Sequence, residues 1–178
     1  MLPDMKHLFR AQELRRLQRA GSAAAKDEWK EVCGFLIWNG FFLQLIPAEN
    51  RIKRSCGFGF YAREAREIER AAYRMRSEIV GTFHSHPLPG AFPGKSDIAF
   101  APDDSLMLIA DVKSCEMRLW RIKDLKPISV RFRVLANDGT VSPSRSAADA
   151  HGSKRIGNVA IRRLWRRVLP KGVHRPEK

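Results

Sequence analysis

The apolar residues of this chain come in short runs of strand length, punctuated by turn residues and interleaved with two stretches of helical periodicity. That alternation leaves room for little besides a mixed central β-sheet flanked by helices, an α/β or α+β fold. Two runs rich in Phe, Leu and Ile, near 32–38 and 41–46, are joined by Asn39-Gly40, a pair whose tolerance of positive φ suits a two-residue hairpin turn. Further strands are predicted near 79–86, 105–112, 115–122 and 128–135. Leu8, Ala11, Leu14 and Leu17 recur every third residue, which predicts a helix over 6–20 with Gly21 ending it. Ala65, Ile68, Ala72 and Met75 share one helical face while Arg66, Glu67, Arg70 and Arg74 fall elsewhere, so a second helix starts near 63. The segment 47–61 shows no sustained period and reads as a loop or irregular edge.

Length bounds the organisation. At 178 residues with 44% hydrophobic content, the chain suffices for one core-bearing domain and a short appendage. Beyond Asn137-Asp138-Gly139 the composition turns to Ser, Ala, Pro and Gly, so a domain over 1–136 and a linker with a tail over 137–178 are expected. In the tail, Arg162, Arg163, Arg166 and Arg167 surround Ile161, Leu164, Trp165 and Val168, the pattern of a basic amphipathic helix. The net charge of +14 suits an acidic protein face or phosphates equally.

Cys33, Cys56 and Cys115 are odd in number and widely spread, which builds neither a disulfide framework nor a metal knuckle and fits a reducing cytoplasm. Residues 1–19 lack the apolar core of a secretion signal. The apolar stretch from Val32 to Ile46 is broken by Asn39-Gly40 and Gln44, short of the roughly 18 uninterrupted apolar residues that a membrane span needs. Neither export nor a membrane location is expected.

The chemistry gathers in the middle of the chain. His84 and His86 are two apart on a predicted strand, so both imidazoles project to one side while Ser85 faces the other. Pro87 stops the strand, and a Pro- and Gly-rich loop leads to a short helix over 95–100, with Asp97 its third residue if Gly94 is the N-cap. Two His and one carboxylate leave one position of a tetrahedral zinc open, the arrangement of a catalytic rather than a structural site. Such a site still requires a general base. Glu31 stands just before an apolar strand, at the mouth of a sheet rather than inside it.

Taken in order, Glu31-Val32-Cys33-Gly34-Phe35-Leu36, Pro47-Ala48-Glu49-Asn50, Gly81-Thr82-Phe83-His84-Ser85-His86-Pro87 and Asp97 resemble the JAMM (MPN+) metalloprotease family over roughly residues 31–122. The resemblance implies a sheet flanked by helices, similar to the deaminase fold. It also implies one catalytic Zn2+ on His84, His86 and Asp97, with Glu31 as the general base. One position departs from the pattern. The family places a serine three residues before the metal-binding aspartate, to stabilise the tetrahedral intermediate; here that position is Gly94, and the neighbouring Ser96 is out of step with it.

By resemblance, the expected activity is zinc-dependent hydrolysis of a peptide or isopeptide bond after the C-terminus of ubiquitin or a ubiquitin-like protein. A small member of a prokaryotic conjugation pathway, including one used against phage, fits best, with activating and conjugating enzymes as further partners. Processing of a sulfur-carrier protein shares the chemistry. Gly94 motivates a different class, an inactive scaffold that binds ubiquitin-like partners. A third reading, nucleic-acid binding, is motivated by the charge of +14 and by the distant fold kinship that the resemblance implies with RadC-like DNA-repair proteins, and is the less expected. A zinc nucleoside deaminase would want a Pro-Cys-x-x-Cys segment, which the sequence lacks.

Overall fold

A computed structural model describes residues 7–27, 29–53 and 57–143. Its central ladder joins strand β4 (Glu78–His86) to β2 (Cys33–Trp38) on one side and to β5 (Ser105–Asp111) on the other. β5 is buried along its whole length, as a Leu, Met and Ile run covered on both faces must be. Leu106, Leu108 and Ala110 of β5 join a core with Leu14 and Leu17 of helix α1 (Ala11–Lys26), Leu36 and Phe83. Met107 and Ile109 point to the opposite face and pack with Ala91, Trp120 and Ile122. Helix α3 (Lys95–Phe100) covers that second face through Ile98.

The sheet is completed by β1 (Leu8–Arg10), β3 (Leu43–Ala48), β6 (Met117–Lys123), β7 (Lys126–Val130), β8 (Arg133–Leu135) and β9 (Val141–Pro143), in the order β7-β6-β5-β4-β2-β3-β1-β8-β9. β4–β5, β1–β3 and β1–β8 are parallel and the other pairings antiparallel, so the sheet is mixed, as expected. β7 ends one side of this order and β8 lies near the other, yet only Arg131 and Phe132 separate them in the chain. Three peptide units reach at most about 11 Å. The sheet therefore curls until its two ends approach, and Phe132 packs edge-on against Phe9 at 5.3 Å between centroids.

Five expectations need correction. The first helix is shorter at its start: Leu8 and Phe9 are buried in a strand between β3 and β8, and α1 begins only at Ala11. Gly21 does not end α1, which runs on to Lys26. It lies where the helix meets the sheet, and a Cβ there would fall 2.8 Å from Val112 Cγ1 and 2.9 Å from Ser85 Cβ. Close approach of helix to sheet, rather than a left-handed C-cap, is what this glycine serves.

The turn after β2 is four residues long, because Trp38 pairs with Leu43. The Asn39 side chain accepts hydrogen bonds from the Phe41 and Phe42 N–H groups at 3.0 Å, and Gly40 takes φ +96°. Finally, the strand expected over 128–135 is two strands, since curling hands the chain from one end of the sheet to the other. Helix α2 (Ala62–Arg74) lies where its periodicity places it, with Ala65 and Ala72 buried, but Met75 of the expected face is its C-cap and is exposed. The anticipated domain end at 136 falls in the turn between β8 and β9, and the sheet continues to Pro143. The basic tail lies outside the described residues. Among the described residues, no helix is long and apolar enough to cross a membrane.

Candidate metal centre

Alternation along β4 sends Phe83 and Ser85 toward α1, and His84 and His86 toward α3. His84 is fully buried, its ring stacked on Phe58 at 4.3 Å and 24°. Pro87 opens the expected loop, and Gly94 does become the N-cap of α3, so Asp97 is its third residue. The Gly94 N–H donates to Asp97 Oδ2 at 2.7 Å, which is half of a capping box and fixes the carboxylate at the start of the helix.

These elements bring three ligand atoms together. His84 Nε2 and His86 Nε2 lie 3.0 Å apart, and Asp97 Oδ2 lies 3.5 Å from the first and 3.8 Å from the second. Ligands about 2.0–2.1 Å from a tetrahedral ion stand roughly 3.3 Å from one another, and the observed separations bracket that value. Two imidazole lone pairs aimed at each other also need a cation or a proton between them. The donor set thus fits a metal ion on both geometry and chemistry.

The electrostatics keep the group ready to bind a cation. Burial pushes the Asp97 carboxyl up, but hydrogen bonding to both histidines and to the Gly94 N–H outweighs it and holds the acid well below the usual carboxylate range. Burial pushes His84 down, toward the neutral form, against the pull of Asp97. For His86, burial is overcome by Asp97, by the Gly90 carbonyl and by Glu31, and the ring is raised.

Glu31 belongs to the same site. It is buried just ahead of β2, where Val32 bonds to Ser85 through its backbone N–H to Oγ at 3.0 Å and its carbonyl from the Ser85 N–H at 2.9 Å. Burial first, and the Asp97 charge second, push its carboxyl up to about 7, opposed by His86 and by the Gly57 N–H. The three expected ligands thus converge, and the expected base Glu31 feels the charges of two of them, His86 and Asp97. Cys33, next in line, is driven up to about 12 by burial and by the charges of Glu31 and Glu64, which leaves an inert thiol.

Two supporting residues escaped the sequence reading as functional parts. Asn50 Nδ2 donates to the carbonyls of Glu31 at 2.9 Å and Gly57 at 3.0 Å, while its Oδ1 accepts from the N–H groups of Ile52 and Gly59 at 2.9 and 3.2 Å. One amide thereby ties the irregular segment to the backbone of Glu31. Its sequence signal was an Asn followed by glycines in an aperiodic stretch. Asp111, the last residue of β5, pairs in register with His86 and accepts the Gly90 N–H at 2.7 Å.

Gly94 stands where the family serine is expected. It offers no hydroxyl, and Ser96 Oγ lies 3.9 Å from the point where a Cβ on Gly94 would sit.

The model of the prokaryotic homologues of the JAB domain matches residues 14–123, more than half of the chain. No curated protein matches. Among solved structures, a protein of Desulfitobacterium hafniense is similar with a TM-score of 0.61 at 18% identity, covering 73% of this chain and 92% of its own. A JAB1/MPN domain protein from Archaeoglobus fulgidus is similar with a TM-score of 0.48 at 17% identity, covering 74% and 97%. A structure described as a JAMM, metalloprotease-like zinc site in the proteasome and signalosome has a TM-score of 0.41 at 16% identity, covering 73% and 97%. Because that family model spans more than half of its length, this chain belongs to the prokaryotic JAB-domain family, and His84, His86 and Asp97 give it the ligand set of a JAMM-like hydrolase.

Proposed function

We propose that the protein is a zinc-dependent peptidase or isopeptidase that cuts after the C-terminus of a ubiquitin-like protein. The observation that carries this reading is the meeting of His84, His86 and Asp97 around one point, with a buried, protonatable Glu31 beside them. His84, His86 and Asp97 would hold the ion. When bound, zinc would supply Lewis acidity that polarises a carbonyl oxygen and acidifies water.

The remaining work falls to side chains of this chain. Asp97 stays ionised through neutral pH and keeps its negative charge beside both imidazoles. Glu31, a buried carboxyl within the field of His86 and Asp97, accepts a proton from the attacking water at its carboxylate and returns it to the departing amine. Asn50 keeps that carboxyl from wandering by holding the Glu31 carbonyl. Leu88, Phe92 and Phe100 are exposed on the loop and helix that carry Asp97, an apolar rim better matched to a protein substrate than to a small metabolite. An extended substrate tail would run along the irregular 47–61 segment. Among the described residues Cys33 and Cys115 are free thiols, which supports a reducing cytoplasm as the setting, where enzymes of the same conjugation pathway would be partners.

Gly94 favours a second reading, a scaffold that binds ubiquitin-like proteins without turnover, because loss of one oxyanion donor costs about 10²–10³ in rate. One experiment separates the two. A ubiquitin-like protein extended at its C-terminus is incubated with the purified protein, with and without chelator, and with Glu31→Ala. Cleavage lost in both controls is expected; cleavage surviving either one overturns the mechanism. Bound zinc with no cleavage of any carrier supports the scaffold.

A further inference from the structure

His86 has two ring nitrogens, and only one can face the proposed ion. Nδ1 lies 2.8 Å from the Gly90 carbonyl, an acceptor, so Nδ1 carries the proton and Nε2 is left with its lone pair toward His84 and Asp97. His84 has no such support among the described residues, where its buried Nδ1 finds no hydrogen-bond partner. The ligand geometry therefore leans on where Gly90 is held.

Gly90 sits at φ +114°, a conformation that a side-chain-bearing residue rarely adopts. There its N–H reaches Asp111 Oδ2 at 2.7 Å while its carbonyl reaches His86. Asp111 is itself fixed: it is 2% exposed, and Oδ1 accepts the N–H groups of Lys113 at 2.8 Å and Ser114 at 3.2 Å. The next residue, Ala91, is pinned as well, its carbonyl accepting Trp120 Nε1–H at 2.8 Å. Because β4 and β5 are parallel and in register, Asp111 lies laterally beside His86 on the same face of the sheet.

We propose that Asp111 is a positioning residue for His86, holding Gly90 so that its carbonyl selects the Nδ1–H tautomer and leaves Nε2 as the ligand atom. This rests on reading His84, His86 and Asp97 as a metal centre. Groups one hydrogen bond beyond the ligands, as the Gly90 carbonyl is here, typically change metal affinity by about 10–100-fold when removed, and Asp111 acts through that carbonyl.

The test uses the full chain and two measurements. In chelator-treated protein, long-range proton–nitrogen NMR at a pH where His86 is neutral reads its tautomer without any metal. Competition with a chelator then reads Zn2+ affinity. Wild type should show Nδ1–H at His86. Asp111→Ala should give mixed tautomers and an affinity about 10–100-fold weaker. Asp111→Asn, which keeps the volume and an acceptor for Lys113 and Ser114 but turns an NH2 toward the Gly90 N–H, serves if the alanine variant does not fold.

In a His86→Ala background the same Asp111 change should alter affinity by less than about twofold, because residues that act through one another are not additive. A folded Asp111→Asn protein in which His86 keeps the Nδ1–H tautomer, or in which affinity is unchanged, overturns the proposal. If wild type binds no Zn2+, the metal reading fails, and the tautomer measurement alone decides the role of Asp111.

Discussion

Replacing Glu31 by Gln in chelator-treated protein should stabilise the fold, and only above acidic pH. Burial and the neighbouring Asp97 raise the Glu31 carboxyl from an ordinary 4.5 to about 7. Between those values the folded chain binds this proton more tightly than the unfolded chain does. Stability therefore falls as pH climbs through that window and levels off above it. At 1.36 kcal/mol per decade the gap amounts to about 3 kcal/mol. Gln keeps an acceptor for the Gly57 N–H and never ionises. We expect the variant to exceed wild type by about 1–3 kcal/mol at pH 8 and to match it near pH 4.5.

For a domain of this size each kcal/mol moves Tm by roughly 3–5 °C, so thermal melts of both proteins from pH 4.5 to pH 8 would resolve the difference. Added Zn2+ should abolish the advantage, since a nearby dication favours the carboxylate. Melting curves that stay parallel at every pH would show that Glu31 is not desolvated as described. They would also remove the physical basis for its role as a base near neutral pH.

Three other outcomes follow from the same geometry. Gly94→Ser should raise turnover by on the order of 10² if the protein is a hydrolase, with Asp97 Oδ2 giving way slightly to the new Cβ, which would sit 3.2 Å from it; equal kcat at equal metal content would show that no hydroxyl is needed there. Gly21→Ala, favourable in an open helix by about 1 kcal/mol, should instead cost about 1–3 kcal/mol in urea denaturation, because the new Cβ meets Val112 and Ser85 at 2.8 and 2.9 Å. Asn50→Ala strips partners from the carbonyls of Glu31 and Gly57 and from the N–H groups of Ile52 and Gly59. It should destabilise by about 2 kcal/mol or more and speed amide exchange at Ile52 and Gly59, and wild-type exchange at both would contradict the hub.

Short-range patterns were legible in the sequence because each is written within a few residues. A spacing of two puts His84 and His86 on one side of a strand, and Gly94 followed three residues later by Asp97 marks a helix start. The strand-length apolar runs gave the central ladder, and the family resemblance supplied Glu31, for which spacing alone offered no neighbour.

What no local pattern encodes is which strand lies beside which. Leu8 reads as helix because its spacing continues the stripe of α1, and Phe9 falls within the same expected helix, yet pairing with β3 and β8 gives both a buried strand. Gly21 reads as a helix end until the sheet is packed against it. Asp111 looks like an ordinary acid ending a strand until the parallel register sets it beside His86. Sequence alone determined the ligand chemistry and the local geometry that presents it. Tertiary structure decided that Glu31 lies within the field of His86 and Asp97, that Asp111 holds Gly90 and that Asn50 holds the Glu31 backbone, because sheet register and curl are properties of segments far apart in the chain.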